Sequence, residues 1–204
     1  MTPEIVTPAG LLIAVAALSY LLGSIPFGLV IAKLFGLGNL REIGSGNIGA
    51  TNVLRTGSKP AAAATLILDS GKGAIAVLMA RFLVGEDAAQ LAGFAAFIGH
   101  IFSVWLKFQG GKGVATYLGT LLALSFPVGI AACLTWLVIA LLFRISSLAA
   151  LFTAVMVPAW LWTFGHPEMI ALAIALGVLV WNRHGSNIRR MLEGAEPRID
   201  RKKD

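Results

Sequence analysis

Three short polar segments interrupt an otherwise apolar chain, and their residue types suit the handling of anions. The first reads Gly44-Ser45-Gly46-Asn47-Ile48-Gly49-Ala50-Thr51-Asn52, with Arg55 just beyond it. Its closely spaced glycines let the backbone turn sharply and approach a ligand, and successive amides in such a loop form an anion-binding concavity. Ser45, Asn47, Thr51 and Asn52 add neutral donors, and Arg55 adds a guanidinium fork matched to phosphate oxygens. A flexible linker is the plainer alternative, but linkers seldom gather serine, asparagine, threonine and arginine so densely. The second segment is Gln109-Gly110-Gly111-Lys112-Gly113-Val114-Ala115-Thr116, directly ahead of an apolar run. A glycine turn at a helix N-terminus offers free amides and the positive end of the helix dipole, and Lys112 adds a point charge. The nucleotide-binding pattern G-x-x-x-x-G-K-[ST] is absent, because Leu106 replaces its first glycine and Gly113 follows the lysine. Phosphate binding therefore survives and ATP hydrolysis is disfavoured. In the third segment, Arg183-His184-Gly185-Ser186-Asn187, a continuing helix would set His184 and Asn187 on one face. Histidine can exchange a proton near neutral pH.

Carboxylates are scarce beside these segments, with only Glu42 at an edge. A hydrolase or phosphotransferase built on Mg²⁺ would expose acids there, and no Cys/His set or paired-carboxylate spacing suggests a metal. Asp69 and Lys72 have helical-pair spacing inside an apolar stretch. A lone charge there would cost about 2.5–3.5 kcal/mol, so the two are expected to pair. His100 reads as a polar packing residue, and Cys133, the single cysteine, as a small core residue with no disulfide partner in the chain. Gly23-Ser24-Ile25-Pro26-Phe27-Gly28 reads as a helix kink with close packing.

The elements that must position these segments are set by composition. Of 204 residues, 57% are hydrophobic and 13% charged, and the mean hydropathy is +0.84. Soluble domains carry about 25% charged residues, so a soluble globule is excluded, as are disorder and nucleic-acid binding, despite a net charge of +6. A helix crosses the bilayer with about 20 apolar residues. Apolar stretches run over 10–35, 60–84, 88–106, 114–143, 147–164 and 168–182, and the fourth is too long for one ordinary span. Splitting it at Phe126-Pro127 predicts an all-α polytopic bundle of seven crossings, with six as the alternative. Lysine and arginine gather on the cytoplasmic side of short loops. Arg41, Arg55 and Lys59, then Lys107 and Lys112, then Arg144, then the arginine- and lysine-rich tail all fall on one side of a seven-span chain. Glu4, Glu86, Asp87 and Glu168 fall on the other, with only Arg81 near them. The N-terminus is thus expected outside and the C-terminus inside, with no removable signal peptide. The chain reads as one membrane domain, 1–204, with cytoplasmic segments at 36–59, 107–116 and 183–204.

GSIPFG (23–28), GSGNIGATN (44–52) with Arg55, GGKGVAT (110–116), and His184 with Asn187 together resemble the PlsY family along nearly the whole chain. These are bacterial acyl-phosphate:glycerol-3-phosphate acyltransferases of the inner membrane. The resemblance implies transfer of a fatty acyl group from acyl phosphate to the sn-1 hydroxyl of glycerol 3-phosphate, giving lysophosphatidic acid and phosphate for phospholipid synthesis. Membrane lipid is the setting, and neither cofactor, metal, nucleic acid nor obligate protein partner is implied. Carried over residue by residue, Ser45, Arg55, Lys112, His184 and Asn187 become the catalytic candidates. Gly44, Gly46, Asn47, Thr51, Asn52, Gly110, Gly111 and Gly113 become the substrate-binding candidates. Glu196 matches a family acid in the tail and reads as structural. Gly185-Ser186 departs from the more basic or bulkier pair expected there, which leaves helical continuity through Asn187 for the structure to decide. His184 or a substrate phosphate oxygen is the proton acceptor. A transporter of phosphorylated solutes would use similar loops, but polar on both sides of the midplane and in a repeat. A serine protease would need Ser45 deep in a span rather than in an inner loop.

Overall fold

A computed structural model describes residues 2–199. Their regular elements are all helices, with no strand among the described residues. Helix α1 (Ala9–Ser24) stops at Ile25-Pro26 and resumes as α2 (Phe27–Leu34), because proline removes a backbone donor and clashes with the preceding turn. A loop over 35–49 leads into the short α3 (Ala50–Leu54), and α4 (Lys59–Leu83) follows, capped by Ser58 Oγ accepting from the Ala61 amide. Helix α5 (Glu86–Ile101) continues through a 3-10 turn at Val104–Leu106 to the glycine turn. Then come α6 (Val114–Leu124), α7 (Phe126–Phe143) and α8 (Ser146–Thr163). The chain ends with α9 (Ile170–Arg183) and α10 (Gly185–Leu192).

The long apolar run breaks at Ser125, one residue ahead of the predicted split at Phe126-Pro127. Ser125 is extended, and Phe126-Pro127 form the first turn of α7, where proline's missing N–H is not needed. The chain reverses there: a Cβ on Gly129 would lie 2.4 Å from Leu122 Cα. Residues seven apart in one straight helix would be about 10 Å apart, so the run is a hairpin rather than one long crossing.

Five helical segments among the described residues are long and apolar enough to cross a membrane: 9–34, 59–83, 86–106, 126–143 and 146–163. The bent pair Pro167–Arg183 with Gly185–Leu192 counts as a sixth only when taken together as one span. Helices α4, α5 and α6 form the interior, with α1 against α5, α4 against α6, and α7, α8 and α9 in sequence along the flank. Close approach depends on missing side chains: a Cβ on Gly23 would meet the Ala96 carbonyl oxygen at 2.0 Å, and one on Gly119 the Ser70 carbonyl oxygen at 2.0 Å. Backbones that approach this closely gain dispersion contacts that lipid cannot displace. Phe97, Tyr117, Val128, Val157 and Leu176 are buried between the helices, whereas Leu18, Phe82, Leu142 and Trp162 point outward. Such an apolar exterior on an apolar bundle suits lipid rather than water.

Candidate active site

The loop before α3 is built around Asn52. Its side chain is buried, and Nδ2 donates to the Leu40 carbonyl at 2.9 Å. Its Oδ1 accepts from the Ser45 amide at 3.0 Å and the Ser45 hydroxyl at 3.3 Å, and from Arg55 Nη1 at 3.5 Å. Sequence placed Asn52 among the free donors; its amide is instead consumed in orienting Ser45 and Arg55. Gly44 also works from beneath. Its φ is +55°, and a Cβ would come within 2.6 Å of Asn52 Oδ1 and 2.7 Å of Arg55 Cδ, so only glycine closes this turn. Thr51 Oγ1 is 3.2 Å from Ser146 Oγ, at the start of α8.

The second segment departs from a turn of wholly free amides. The Gly110 N–H donates to the Ile101 carbonyl at 3.2 Å and the Gly111 N–H to the His100 carbonyl at 3.1 Å. Among the described residues, the amides of Lys112 and Gly113 have no acceptor, nor do those of Val114, Ala115 and Thr116 in the first turn of α6. Gly113 has φ +81°, and a Cβ there would lie 2.2 Å from the Phe97 ring. Arg183 reaches back to the Gly110 and Gly111 carbonyls at 3.1 and 3.3 Å. Arg41 Nη2 donates to the Gln109 carbonyl at 2.7 Å, fastening the first loop to the second.

The third segment does not continue as one helix. The chain bends by 58° between α9 and α10, with His184 at the junction and the Asn187 N–H donating to its carbonyl at 2.9 Å. The bend still brings His184 and Asn187 to one cavity. His184 Nδ1 lies 2.7 Å from the Val180 carbonyl. A carbonyl only accepts, so Nδ1 carries the proton and Nε2 keeps its lone pair. The Asn187 amide is engaged at both ends, its Oδ1 accepting from Lys112 Nζ and its Nδ2 donating to Glu196 Oε1. It bridges the second segment and the tail.

All five catalytic candidates line one cavity of about 660 Å³, together with Asn47, Thr51, Asn52, Gly113 and Glu196. Its remaining wall is largely apolar: Leu54, Leu66, Leu118, Leu122, Trp136 and Leu137. Cys133 is half-buried and belongs to this wall, not to the sealed core that sequence assigned it. A second, polar cleft of about 290 Å³ is lined by Ser45, Gly46, Asn47, Gly110, Gly111, Lys112, Arg183 and Ser186. Ser45, Asn47 and Lys112 face both spaces. Gly44 lines neither.

A family model described as glycerol-3-phosphate acyltransferase matches residues 13–194. The chain belongs to the glycerol-3-phosphate acyltransferase family. It is 67% identical over 201 residues to a glycerol-3-phosphate acyltransferase of Dinoroseobacter shibae, covering 98% of this chain and 99% of that one. One from Cereibacter sphaeroides is 64% identical over 191 residues, covering 94% and 91%. A crystal structure of PlsY, an integral membrane glycerol 3-phosphate acyltransferase, in its glycerol 3-phosphate form superposes with a TM-score of 0.86 at 42% identity, over 92% of this chain and 94% of that one. The lysophosphatidic acid form superposes with a TM-score of 0.83 at 39% identity, over the same shares of each chain. Like PlsY, this acyltransferase-family chain is an integral membrane protein.

Within the family fold, electrostatics concentrate on Lys112. Burial pushes its ammonium down to about 8; Glu196 works against that shift, while Arg190, Arg55 and Arg183 add to it. His184 is pushed down to about 4, mainly by burial and also by Lys112 and Arg183, against the support of the Val180 carbonyl and Glu196. Burial raises the Glu196 carboxyl, but hydrogen bonds from Asn187, Ser147 and Arg190 outweigh it and hold the group below its ordinary value. Burial lowers Arg55, though a guanidinium stays charged. Sequence read Glu196 as a structural acid of the tail and Asp69 as the partner of Lys72, and placed neither at the larger cavity, which both line. It also missed Ser147, whose hydroxyl donates to Glu196 at 2.7 Å. Ser146-Ser147, separated from Arg144 only by Ile145 and so on the expected inner side, was the available signal.

Proposed function

We propose that this protein transfers a fatty acyl group from acyl phosphate to the sn-1 hydroxyl of glycerol 3-phosphate, releasing lysophosphatidic acid and inorganic phosphate. The observation that carries this reading is the meeting of a polar cleft and a largely apolar cavity along Ser45, Asn47 and Lys112. An amphiphilic donor and a small polar acceptor need such a pair of spaces. The acyl chain lies against Leu118, Leu122 and Leu137, and glycerol 3-phosphate enters the cleft from the cytoplasm. Phosphate groups are held by Arg55, Lys112 and the amides of Lys112 and Gly113, while Ser45 donates to the oxyanion that forms at the carbonyl. The hydroxyl oxygen bonds to the carbonyl carbon, the carbon–oxygen bond to phosphate breaks, and the phosphate leaves with the electron pair. Holding both reactants in register supplies much of the acceleration. At about 4, His184 is a weak base, whereas a phosphate ester dianion has a pKa of about 6. A substrate phosphate oxygen therefore takes the hydroxyl proton, and His184 Nε2 orients the hydroxyl by accepting its hydrogen bond. The segments at 36–59, 107–116 and 183–204 face the cytoplasm from a bacterial inner membrane, seven crossings being completed by the short α6. No cofactor or metal enters this scheme.

Purified protein supplied with acyl phosphate and glycerol 3-phosphate should release phosphate only when both are present, and should not use an acyl thioester. Release without glycerol 3-phosphate, or turnover only with a thioester, would sink the reading. His184→Gln, which retains a hydrogen-bonding side chain but no titrating group, should keep measurable turnover with no new acid limb. Complete loss in a folded His184→Gln protein would return the proton to His184.

A further inference from the structure

Asp69, Lys72 and His100 form a buried cluster that the proposed chemistry does not use. Lys72 Nζ lies 2.9 Å from Asp69 Oδ1, as the helical spacing predicted, and donates to the Ile25 carbonyl at 2.8 Å. His100 was expected only to pack. Its Nδ1 is instead 3.6 Å from Asp69 Oδ1, and its other face lies against the glycine turn, where a Cβ on Gly111 would sit 2.3 Å from Nε2. The backbone of the same residue accepts the Gly111 amide at 3.1 Å. Asp69 grips the far side of the turn, its carbonyl accepting from Thr116 Oγ1 at 2.9 Å in the first turn of α6. Apolar residues of similar volume often stabilise a fold as well as a buried ion pair does, so such a pair argues only weakly for a purely stabilising role. This one lies directly beneath the backbone that carries Lys112.

We propose that Asp69 and His100 are positioning residues, which hold the 110–113 turn in the shape that receives the phosphate of glycerol 3-phosphate. The inference rests on the function proposed above. Arg183 donates to the carbonyls of Gly110 and Gly111 and the His100 ring packs against Gly111, so the backbone that carries Lys112 along the cleft is held in place. Asp69 and His100 also border the larger cavity, but their contacts on the 110–113 turn act on backbone that lines the cleft at Gly110, Gly111 and Lys112.

Initial rates should be measured for purified wild type, His100→Phe, His100→Gln and the charge-neutral double variant Asp69→Asn/Lys72→Met, varying each substrate in turn. The expected result is a KM for glycerol 3-phosphate raised about tenfold in His100→Phe and in the double variant, with the KM for acyl phosphate and the melting midpoint in detergent within about twofold and a few degrees of wild type. His100→Gln, which returns a polar nitrogen near Gly111, should recover most of the loss. Wild-type KM for glycerol 3-phosphate in folded His100→Phe, or an equal rise in both KM values, overturns the assignment. Should His100→Phe fail to fold, Gly111→Ala presses a methyl onto the ring from the opposite side, and an unchanged KM there overturns it equally. If wild type itself does not turn over acyl phosphate, the functional reading fails separately. Calorimetric binding of glycerol 3-phosphate to the same proteins still decides the positioning role, tenfold weaker binding in the variants upholding it and equal binding rejecting it.

Discussion

Lys112 is the residue on which most of the proposed chemistry converges. Its ammonium touches Asn187, faces both cavities and titrates near 8. The sign of the consequence follows directly. The cation that attracts phosphate is present below about pH 8 and lost above it, so kcat/KM for glycerol 3-phosphate should fall through an alkaline limb near pH 8. Stability runs the other way. The ordinary lysine value of 10.5 applies to the unfolded chain, which therefore holds more protons than the fold between about 8 and 10.5, so stability rises with pH across that window. A pH–rate profile and a melting series on one preparation should show activity falling where stability climbs. Lys112→Arg, which stays charged, should remove the limb. Removing either cation outright deletes charge-assisted hydrogen bonds worth about 1.5–3 kcal/mol each. Arg55→Ala and Lys112→Ala should thus each lower kcat/KM by roughly 10- to 100-fold without unfolding the protein. Wild-type rates in either would remove that residue from the site.

At the scale of elements, the site is closed by a segment that is not helical at all. After α10, residues 195–199 run back across the larger cavity. The Pro197 carbonyl accepts from Arg55 Nη2 at 3.2 Å, and the Ile199 amide donates to the Arg144 carbonyl at 2.8 Å. Glu196 accepts from Ser147, Asn187 and Arg190. Because its charge supports the Lys112 ammonium, Glu196→Gln should move the alkaline limb of kcat/KM below pH 8 as well as lower its plateau. A limb left at 8 would show that burial alone sets the lysine. The glycine loops, the break near Pro127 and the Asp69–Lys72 pair were legible in the sequence because each is local: spacing, backbone freedom and insertion cost declare them within a few residues. The bend at His184 was less so, since Gly185-Ser186 signals only a departure. Glu196 and Ser147 were not legible as neighbours of Lys112. Their approach depends on the 58° bend and on the returning strap, which no periodicity encodes. Asn52 shows the opposite error: a polar residue in a glycine loop reads as a ligand donor, yet its hydrogen bonds go to holding the loop itself.

For the molecule as a whole, the decisive element is α6. At 11 residues it rises only about 16 Å, half of a hydrocarbon core of about 30 Å, yet Thr116, Tyr117, Thr120 and Leu121 are buried on it, so protein rather than lipid satisfies it along much of its length. Because the chain reverses at Ser125, α6 and α7 together begin and end on one side. That places Lys107, Lys112 and Arg144 with the tail, the arrangement that the distribution of basic residues requires. A single long crossing would instead put Arg144 and the tail opposite the first loop. The chain carries one cysteine, so Cys133→Ala gives a clean background for Asn39→Cys, Phe164→Cys and Glu193→Cys, all at exposed positions. In spheroplasts, a membrane-impermeant maleimide should label position 164 alone, and in inverted vesicles positions 39 and 193. Labelling of 39 and 193 from opposite sides would break the parity on which the proposed cytoplasmic site depends, since the loops carrying Ser45 and His184 could then not share one aqueous face.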